Sequence, residues 1–299
     1  MLPFYIYYSM FGFQRVGDAA WQAGDMRARG FVLGGTAGRT TLNGEGLQHE
    51  DGQSHIQSSF IPNVRSYDPT FAYEVVTIVQ YGMQRMLAEQ QDEYFYLTLM
   101  NENYTHPDMP EGSAEAIIKG MYLLKDAGKP KKGELRVQLL GSGTILREVI
   151  AAAELLDADF GIKADLWSCP SFTELARDGV DAERWNRFHP EAKTPRKAWV
   201  TQQLEGRQGP AIAATDYVRT FANQIREYVP MRYSVLGTDG YGRSDTRANL
   251  RRHFEVDRFH VAHAAVAALA ADGKLTAKDV ARAIKMYKLD AEKANPLHA

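Results

Sequence analysis

Short apolar segments that alternate with helix-periodic segments fill the second half of the sequence, and this alternation limits the fold more than any other feature. The clearest case is LRVQLLGSG at 135–143, where an apolar segment enters a glycine turn and TILREVIAAAELL at 144–156 follows with helical spacing. Strands that alternate with helices in this way predict a mostly parallel sheet in an α/β fold. The other predicted strands of this half are 163–169, 211–216 and 233–240, and the other predicted helices are near 171–186, near 216–228 and after Arg247.

The first half of the sequence also contains predicted strands and helices in alternation, which indicates a second α/β unit. Predicted helices lie at 4–24 (largely buried), 70–89 and 113–127, predicted strands at 31–35, 64–69 and 94–100, and a long polar loop at 34–59. AGKPKKGE at 127–134 is rich in Gly, Pro and Lys and is the best linker candidate. We therefore predict two α/β domains with their boundary near this linker.

Composition narrows the class of protein. Hydrophobic residues make up 44% and charged residues 24% of the 299 residues, and the net charge is −2, so no basic excess points to nucleic acid. No apolar run approaches the ~20 residues of a membrane span. Cys169 is the only cysteine, which excludes an intramolecular disulfide and a cysteine metal site and favours a reducing, cytoplasmic compartment.

The start of the chain is apolar and aromatic, from Leu2 through Phe13. Chain termini are usually polar and frayed, so this beginning predicts that the chain starts inside a domain. The aromatic residues of 4–13 are typical of a core, and they could also wall a pocket for a flat heteroaromatic ring. Arg15, if buried among them, would need an anionic partner.

The segment NGEGLQHEDGQSH at 43–55 is the chemically densest part of the sequence. It holds Glu45, His49, Glu50, Asp51 and His55. Imidazoles titrate near neutral pH, and carboxylates beside them can orient them for proton transfer. A solvated loop with helix caps remains the alternative. A zinc site is less expected, because the two histidines do not have the spacing of a metal-binding helix face.

Two glycine motifs carry weaker signals. GSG at 141–143 lacks the third glycine of a dinucleotide motif, since position 146 is Leu146, and we interpret it as a tight structural turn. GTDGYGRSD at 237–245 is similar to a metal–diphosphate motif, but its order is Thr-Asp-Gly and no Asn follows at the required distance. A structural or interface loop is the favoured interpretation.

Several long motifs give the chain a family resemblance: FYIYYSMFGFQRVGD, ARGFVLGGTAGRTTLNGEGLQHEDGQSHI, MNENYTHPDMPEG, SFTELARDG and LGTDGYGRSDTRANLRRHFEVD. Over essentially its whole length the sequence resembles the last third of the first, decarboxylating component of the pyruvate dehydrogenase complex, in its homodimeric bacterial form. That family belongs to the transketolase-like thiamine diphosphate enzymes. Their pattern Glu-Asp-Gly-x-Thr-His is similar to residues 50–55 here.

The resemblance implies a domain plan and site residues. Residues 1–128 would be part of a pyrimidine-binding domain, and residues 134–299 a transketolase C-terminal-like domain that supports dimer assembly. Magnesium and the diphosphate would be held by an upstream domain absent from this chain, so no metal ligand is assigned here. The resemblance implies that Tyr8, Phe11 and Arg15 line the aminopyrimidine pocket. It implies that Glu45 and His49 position the substrate and manage protons. Asp51 and His55 would have a less defined catalytic role.

The implied activity is thiamine diphosphate-dependent oxidative decarboxylation of pyruvate. The acetyl group would pass to a lipoyl group on a partner acyltransferase, the parent chain would be a homodimer, and the chain by itself is expected to be inactive. Two alternatives stay open. One is another 2-oxo acid on the same scaffold, and the other is a non-catalytic dimerisation module.

Overall fold

The computed structural model describes residues 1–299 as two α/β units built around separate sheets. The nine strands are β1 (Phe4–Tyr8), β2 (Phe31–Gly35), β3 (Val64–Tyr67), β4 (Tyr94–Thr98), β5 (Tyr122–Lys125), β6 (Arg136–Gly141), β7 (Lys163–Ser168), β8 (Ala211–Ala214) and β9 (Tyr233–Leu236). The helices are α1 (Phe13–Asp25), α2 (Ser54–Ser59), α3 (Ala72–Met83), α4 (Ala114–Ile118), α5 (Ile145–Phe160), α6 (Phe172–Phe188), α7 (Trp199–Leu204), α8 (Arg219–Asn223), α9 (Arg247–His253), α10 (Arg258–Ala271) and α11 (Ala277–Met286). We call β1–β4 with α1–α4 the N-terminal unit and the remaining elements the C-terminal unit.

The sheet of the N-terminal unit has the strand order β1-β2-β4-β3, and all its pairs are parallel. Helices cover both faces. Phe13 of α1 packs with Tyr96 on one side, while Ile78 of α3 and Ile117 of α4 pack with Phe95 and its neighbours on the other. β4 is buried along its whole length, as expected for a central parallel strand covered on both faces.

The sheet of the C-terminal unit has the order β5-β7-β6-β8-β9, with only β5 antiparallel. One face carries α5 and α10 on a core of aliphatic side chains, and the other face carries α6, α7 and α8. α5 ends at Phe160, and the φ of 64° at the following residue, Gly161, provides the left-handed turn that stops a helix. The α/β prediction with mostly parallel sheets is confirmed.

The predicted buried helix over 4–24 is wrong in its first part. Residues 4–8 form the edge strand β1, and Phe4, Tyr5 and Ile6 are at least half exposed. The sequence Phe-Tyr-Ile-Tyr-Tyr consists of aromatic and β-branched residues, which favour strands. Pairing with β2 stabilises this choice, and α1 begins only at Phe13.

The predicted helix over 113–127 is also wrong in its second part. α4 covers only 114–118, because the chain reverses at Gly120, where φ is +96°. A Cβ at Gly120 would lie 2.4 Å from the carbonyl oxygen of Ser171, so only glycine fits. Residues 122–125 then form β5, which pairs with β7 in the second sheet.

No helix of the protein has the length and apolar character to cross a membrane.

Candidate functional site

An aromatic corner lies at the carboxyl end of β1. Tyr8 is the last residue of this strand, and Phe11 follows in a 3-10 turn, with ring centroids 5.8 Å apart and ring planes tilted by 43°. Tyr8 is 47% exposed. The Arg15 guanidinium lies 4.1 Å from the centroid of the Phe11 ring, a cation–π contact. Arg15 is exposed, so the expectation that it is buried with an anionic partner is wrong.

The turn formed by residues 43–50, called here the 43–50 turn, closes over this corner. Leu47–His49 form a short 3-10 segment within it. The His49 imidazole lies 5.4 Å from the Tyr8 ring and 5.0 Å from the Phe11 ring, centroid to centroid. Glu45 Oε2 lies 3.3 Å from His49 Nδ1. This contact is an ion pair when the imidazole is protonated, but it lacks hydrogen-bond geometry, since Nδ1 has no hydrogen-bond partner.

The structure thus brings five of the predicted site residues into one partly open cluster: Tyr8, Phe11, Arg15, Glu45 and His49. The cluster lies where β1 and β2 end, which is the edge of a parallel sheet where α/β proteins bind ligands. The two rings and the guanidinium can contact an aromatic ligand. The carboxylate–imidazole pair can exchange protons with it.

Asp51 lies outside this cluster. Its side chain is buried, and Oδ1 accepts hydrogen bonds from the backbone N–H of Gln53 at 3.0 Å and of Ser54 at 2.9 Å. Oδ2 accepts from the Ser54 hydroxyl. These bonds organise the start of α2. A catalytic role for Asp51 therefore stays a prediction, and its contacts favour a structural one.

His55 is also buried and apart from the cluster. Nδ1 lies 2.6 Å from Ser66 Oγ and Nε2 lies 3.0 Å from Thr98 Oγ1. The Thr98 hydroxyl donates to Asp68, so its oxygen accepts from Nε2–H, and Nδ1 accepts from Ser66. Burial lowers the pKa of His55 to about 3. The ring is therefore neutral, and its predicted catalytic role stays a prediction.

Sequence reasoning missed a buried polar layer between the two units. Asp68 accepts from Thr98 at 2.7 Å and from Ser142 at 2.6 Å, and burial raises its pKa to about 7. A Cβ at Gly143 would lie 2.7 Å from an Asp68 oxygen. The GSG turn is thus filled by this carboxyl group and leaves no phosphate cradle there. Asp68 directly follows β3 and precedes Pro69, which indicated only a turn.

Two further charged residues join the site to the C-terminal unit. Arg39 donates to the carbonyl oxygens of Thr238 and Gly240, and at 3.0 Å to Gln53 Oε1. Glu50 is fully buried and accepts from the backbone N–H of Arg243 at 2.7 Å. Glu50 belongs to the segment 43–55, which is rich in acidic residues and histidine, but the sequence assigned it no role. No sequence pattern pointed to Arg39.

The aromatic corner is suited to the flat part of a heteroaromatic cofactor, since Tyr8 and Phe11 retain exposed ring surface. No group of three or more His, Cys, Asp or Glu side chains in the structure could hold a metal ion. The partly exposed rings of Tyr8 and Phe11 are the surface here that a flat heteroaromatic ring could contact.

Two family models match successive parts of the chain. Residues 1–107 match the family described as pyruvate dehydrogenase E1 component middle domain, and residues 120–257 match the transketolase-like C-terminal domain. A solved transketolase from Leishmania mexicana superimposes with a TM-score of 0.67 at 16% identity, covering 93% of this chain and 36% of that one. At this identity the likeness shows the fold, which is that of a transketolase-like chain.

Sequence identity to pyruvate dehydrogenase E1 components is much higher than to the transketolase. The chain is 62% identical over 297 residues to the pyruvate dehydrogenase E1 component of Cupriavidus necator, and 61% identical over 298 residues to that of Pseudomonas aeruginosa. Each alignment covers 99% of this chain and 33% of the relative. The chain thus spans about a third of the length of these relatives and resembles that part of a pyruvate dehydrogenase E1 component, as its motifs predicted.

Proposed function

We propose that this chain is part of a pyruvate dehydrogenase (acetyl-transferring) component. In this function, pyruvate is oxidatively decarboxylated with thiamine diphosphate, and the acetyl group passes to a lipoyl group on a partner acyltransferase. The observation that carries the proposal is the convergence of Tyr8, Phe11 and the Glu45–His49 pair at one sheet edge. The 62% identity to an enzyme component of that name supports it.

The aromatic corner would hold the aminopyrimidine ring of the cofactor. Phe11 offers its ring to the cofactor, Tyr8 flanks that ring, and the Arg15 guanidinium lies over one face of it. When bound, thiamine diphosphate supplies the electron sink that allows the carboxyl group of a 2-oxo acid to leave. In this proposal magnesium and the diphosphate are held by parts of the parent protein outside this third.

Glu45 and His49 would handle protons and orient pyruvate. Both side chains are partly exposed, and Glu45 Oε2 lies 3.3 Å from His49 Nδ1. An imidazole within reach of a ligand can act as a general acid or base. The exposed side of His49 thus provides a group that exchanges protons with a ligand on the aromatic corner.

The remaining parts of the proposal concern organisation. We assign residues 1–128 to a partial pyrimidine-binding domain and residues 134–299 to a C-terminal domain that supports a homodimer, although β5 precedes this boundary and pairs in the second sheet. The partner would be the lipoyl-bearing acyltransferase, and the compartment the cytoplasm.

The test uses the full-length parent protein. Purified enzyme is supplied with thiamine diphosphate, magnesium and a lipoylated acceptor domain, and turnover is measured on a panel of 2-oxo acids. Pyruvate is expected to give the highest kcat/KM. A preference for a longer or branched 2-oxo acid would replace pyruvate as substrate, and no turnover of any member would leave the dimerisation module as the better description.

A further inference from the structure

The 43–50 turn is fastened at its first end to the C-terminal unit. The backbone N–H of Arg247 donates to Asn43 Oδ1 at 2.8 Å, and the backbone N–H of Gly44 donates to the carbonyl oxygen of Asp245 at 3.0 Å. The Arg247 guanidinium also donates to the Thr41 carbonyl oxygen at 2.7 Å. We call residues 240–247 the docking segment.

The other end of the turn is fastened by one side chain. Glu50 Oε2 accepts from the backbone N–H of Arg243 at 2.7 Å. Next to this bond, the turn and the docking segment approach so closely that a Cβ at Gly242 would lie 2.6 Å from the Leu47 carbonyl oxygen and 2.9 Å from Glu50 Cβ. Backbone packs on backbone here, so the location of the turn follows the location of the segment.

Glu50 has no access to a ligand at the aromatic corner. It is fully buried, and its second oxygen, Oε1, has no hydrogen-bond partner. The pKa of Glu50 is raised to about 7, mainly by burial and also by Asp216, although the Arg243 N–H and the Arg39 guanidinium act to lower it. A carboxyl group with so few partners is costly to bury, and its contacts suit holding the chain rather than touching substrate.

We propose that Glu50 is a positioning residue, which clamps the turn bearing Glu45 and His49 onto the docking segment of the C-terminal unit. This inference rests on the proposed function of that turn. It gives the C-terminal unit a direct part in shaping the site, because the turn is held against that unit at both of its ends. Small displacements of a reacting group can cost on the order of 10²-fold in rate.

The test compares Glu50→Ala with Glu50→Gln in the full-length parent enzyme. Glu50→Ala removes the acceptor for the Arg243 N–H, whereas Glu50→Gln retains an acceptor of the same reach. We expect Glu50→Ala to raise deuterium uptake in peptides covering 43–49 and to lower kcat roughly 10- to 100-fold, with the KM for pyruvate and the cofactor affinity little changed. Glu50→Gln is expected to restore slow exchange and most of kcat.

A matched control is Glu205→Ala, which removes an exposed pair with Lys197 elsewhere in the C-terminal unit and should change neither readout. Unchanged exchange at 43–49 in Glu50→Ala overturns the clamp, whatever the activity. Faster exchange with parental kcat also overturns the positioning role, provided that His49→Ala lowers kcat. If His49→Ala leaves kcat unchanged, the proposed function of the turn fails, and the exchange data alone then decide whether Glu50 anchors it.

Discussion

His49 and His55 lie six positions apart in the sequence and have opposite surroundings. The His49 imidazole is partly exposed, beside a carboxylate and two aromatic rings. The His55 imidazole is fully buried, bonded to two hydroxyl groups and stacked on Phe221 at 4.7 Å. An imidazole that solvent reaches can exchange protons, whereas one enclosed in a neutral network supports packing.

The largest expected effect is on catalysis at the exposed histidine. His49→Ala in the full-length parent enzyme should lower kcat on the order of 10²–10⁴-fold, the range for loss of a general acid or base. Cofactor affinity should change little, since Tyr8 and Phe11 remain. Steady-state kinetics with pyruvate and titration calorimetry with thiamine diphosphate measure the two quantities. Parental turnover would remove the catalytic role of the turn.

The next effect is on stability at the buried histidine. His55→Ala removes the stacking on Phe221 and leaves the Ser66 and Thr98 hydroxyls without their shared partner. Such a change should lower the free energy of unfolding by about 3 kcal/mol. Denaturant titration of this chain at pH 7 measures it, with His189→Ala, an exposed histidine on Trp185, as the control. A loss as small as that of the control would contradict the distinction between the two histidines.

The smallest expected effect is on how the free energy of unfolding changes with pH. Burial raises the pKa of Asp68 from 3.8 to about 7, so the folded protein holds a proton that the unfolded chain releases above about pH 4. Asp68 therefore destabilises the fold progressively from about pH 4 to pH 7. His55, whose pKa is lowered from 6.5 to about 3, has the opposite slope, because its unfolded form binds the extra proton.

Asp68→Asn isolates one of these slopes. The unfolding free energy of this variant minus that of the parent chain should rise between pH 4 and pH 7 by on the order of 1–3 kcal/mol, then level off. Denaturant titrations at several pH values give this difference. A difference that stays flat across the range would mean that the carboxyl group of Asp68 is already ionised in the folded protein.

Periodicity in the sequence predicted most of the C-terminal unit, because β6–β9 are apolar runs bounded by turns and followed by helices. It failed at residues 4–8, where aromatic residues fill both faces of a strand and imitate a buried helix. It failed again at 119–125, where contact with Ser171, far along the chain, requires the turn at Gly120.

The site was only partly visible for a related reason. Glu45 and His49 share a short turn, so their proximity follows from sequence spacing. Sequence spacing does not predict that Asp51 and His55 lie apart from this pair. Their location depends on how α2 buries those side chains against β3, β4 and the C-terminal unit. The contacts of Glu50 and Arg39 reach residues about 200 positions away, which no local pattern indicates.

The edge location of β1 has a practical consequence for handling the chain by itself. Its outer side presents a row of backbone hydrogen-bonding groups with no neighbouring strand, flanked by Phe4, Tyr5 and Ile6. Such an edge is a template for strand addition between molecules. Preparations of the isolated chain should therefore aggregate as protein concentration increases, and a lysine introduced at Ile6 should delay this.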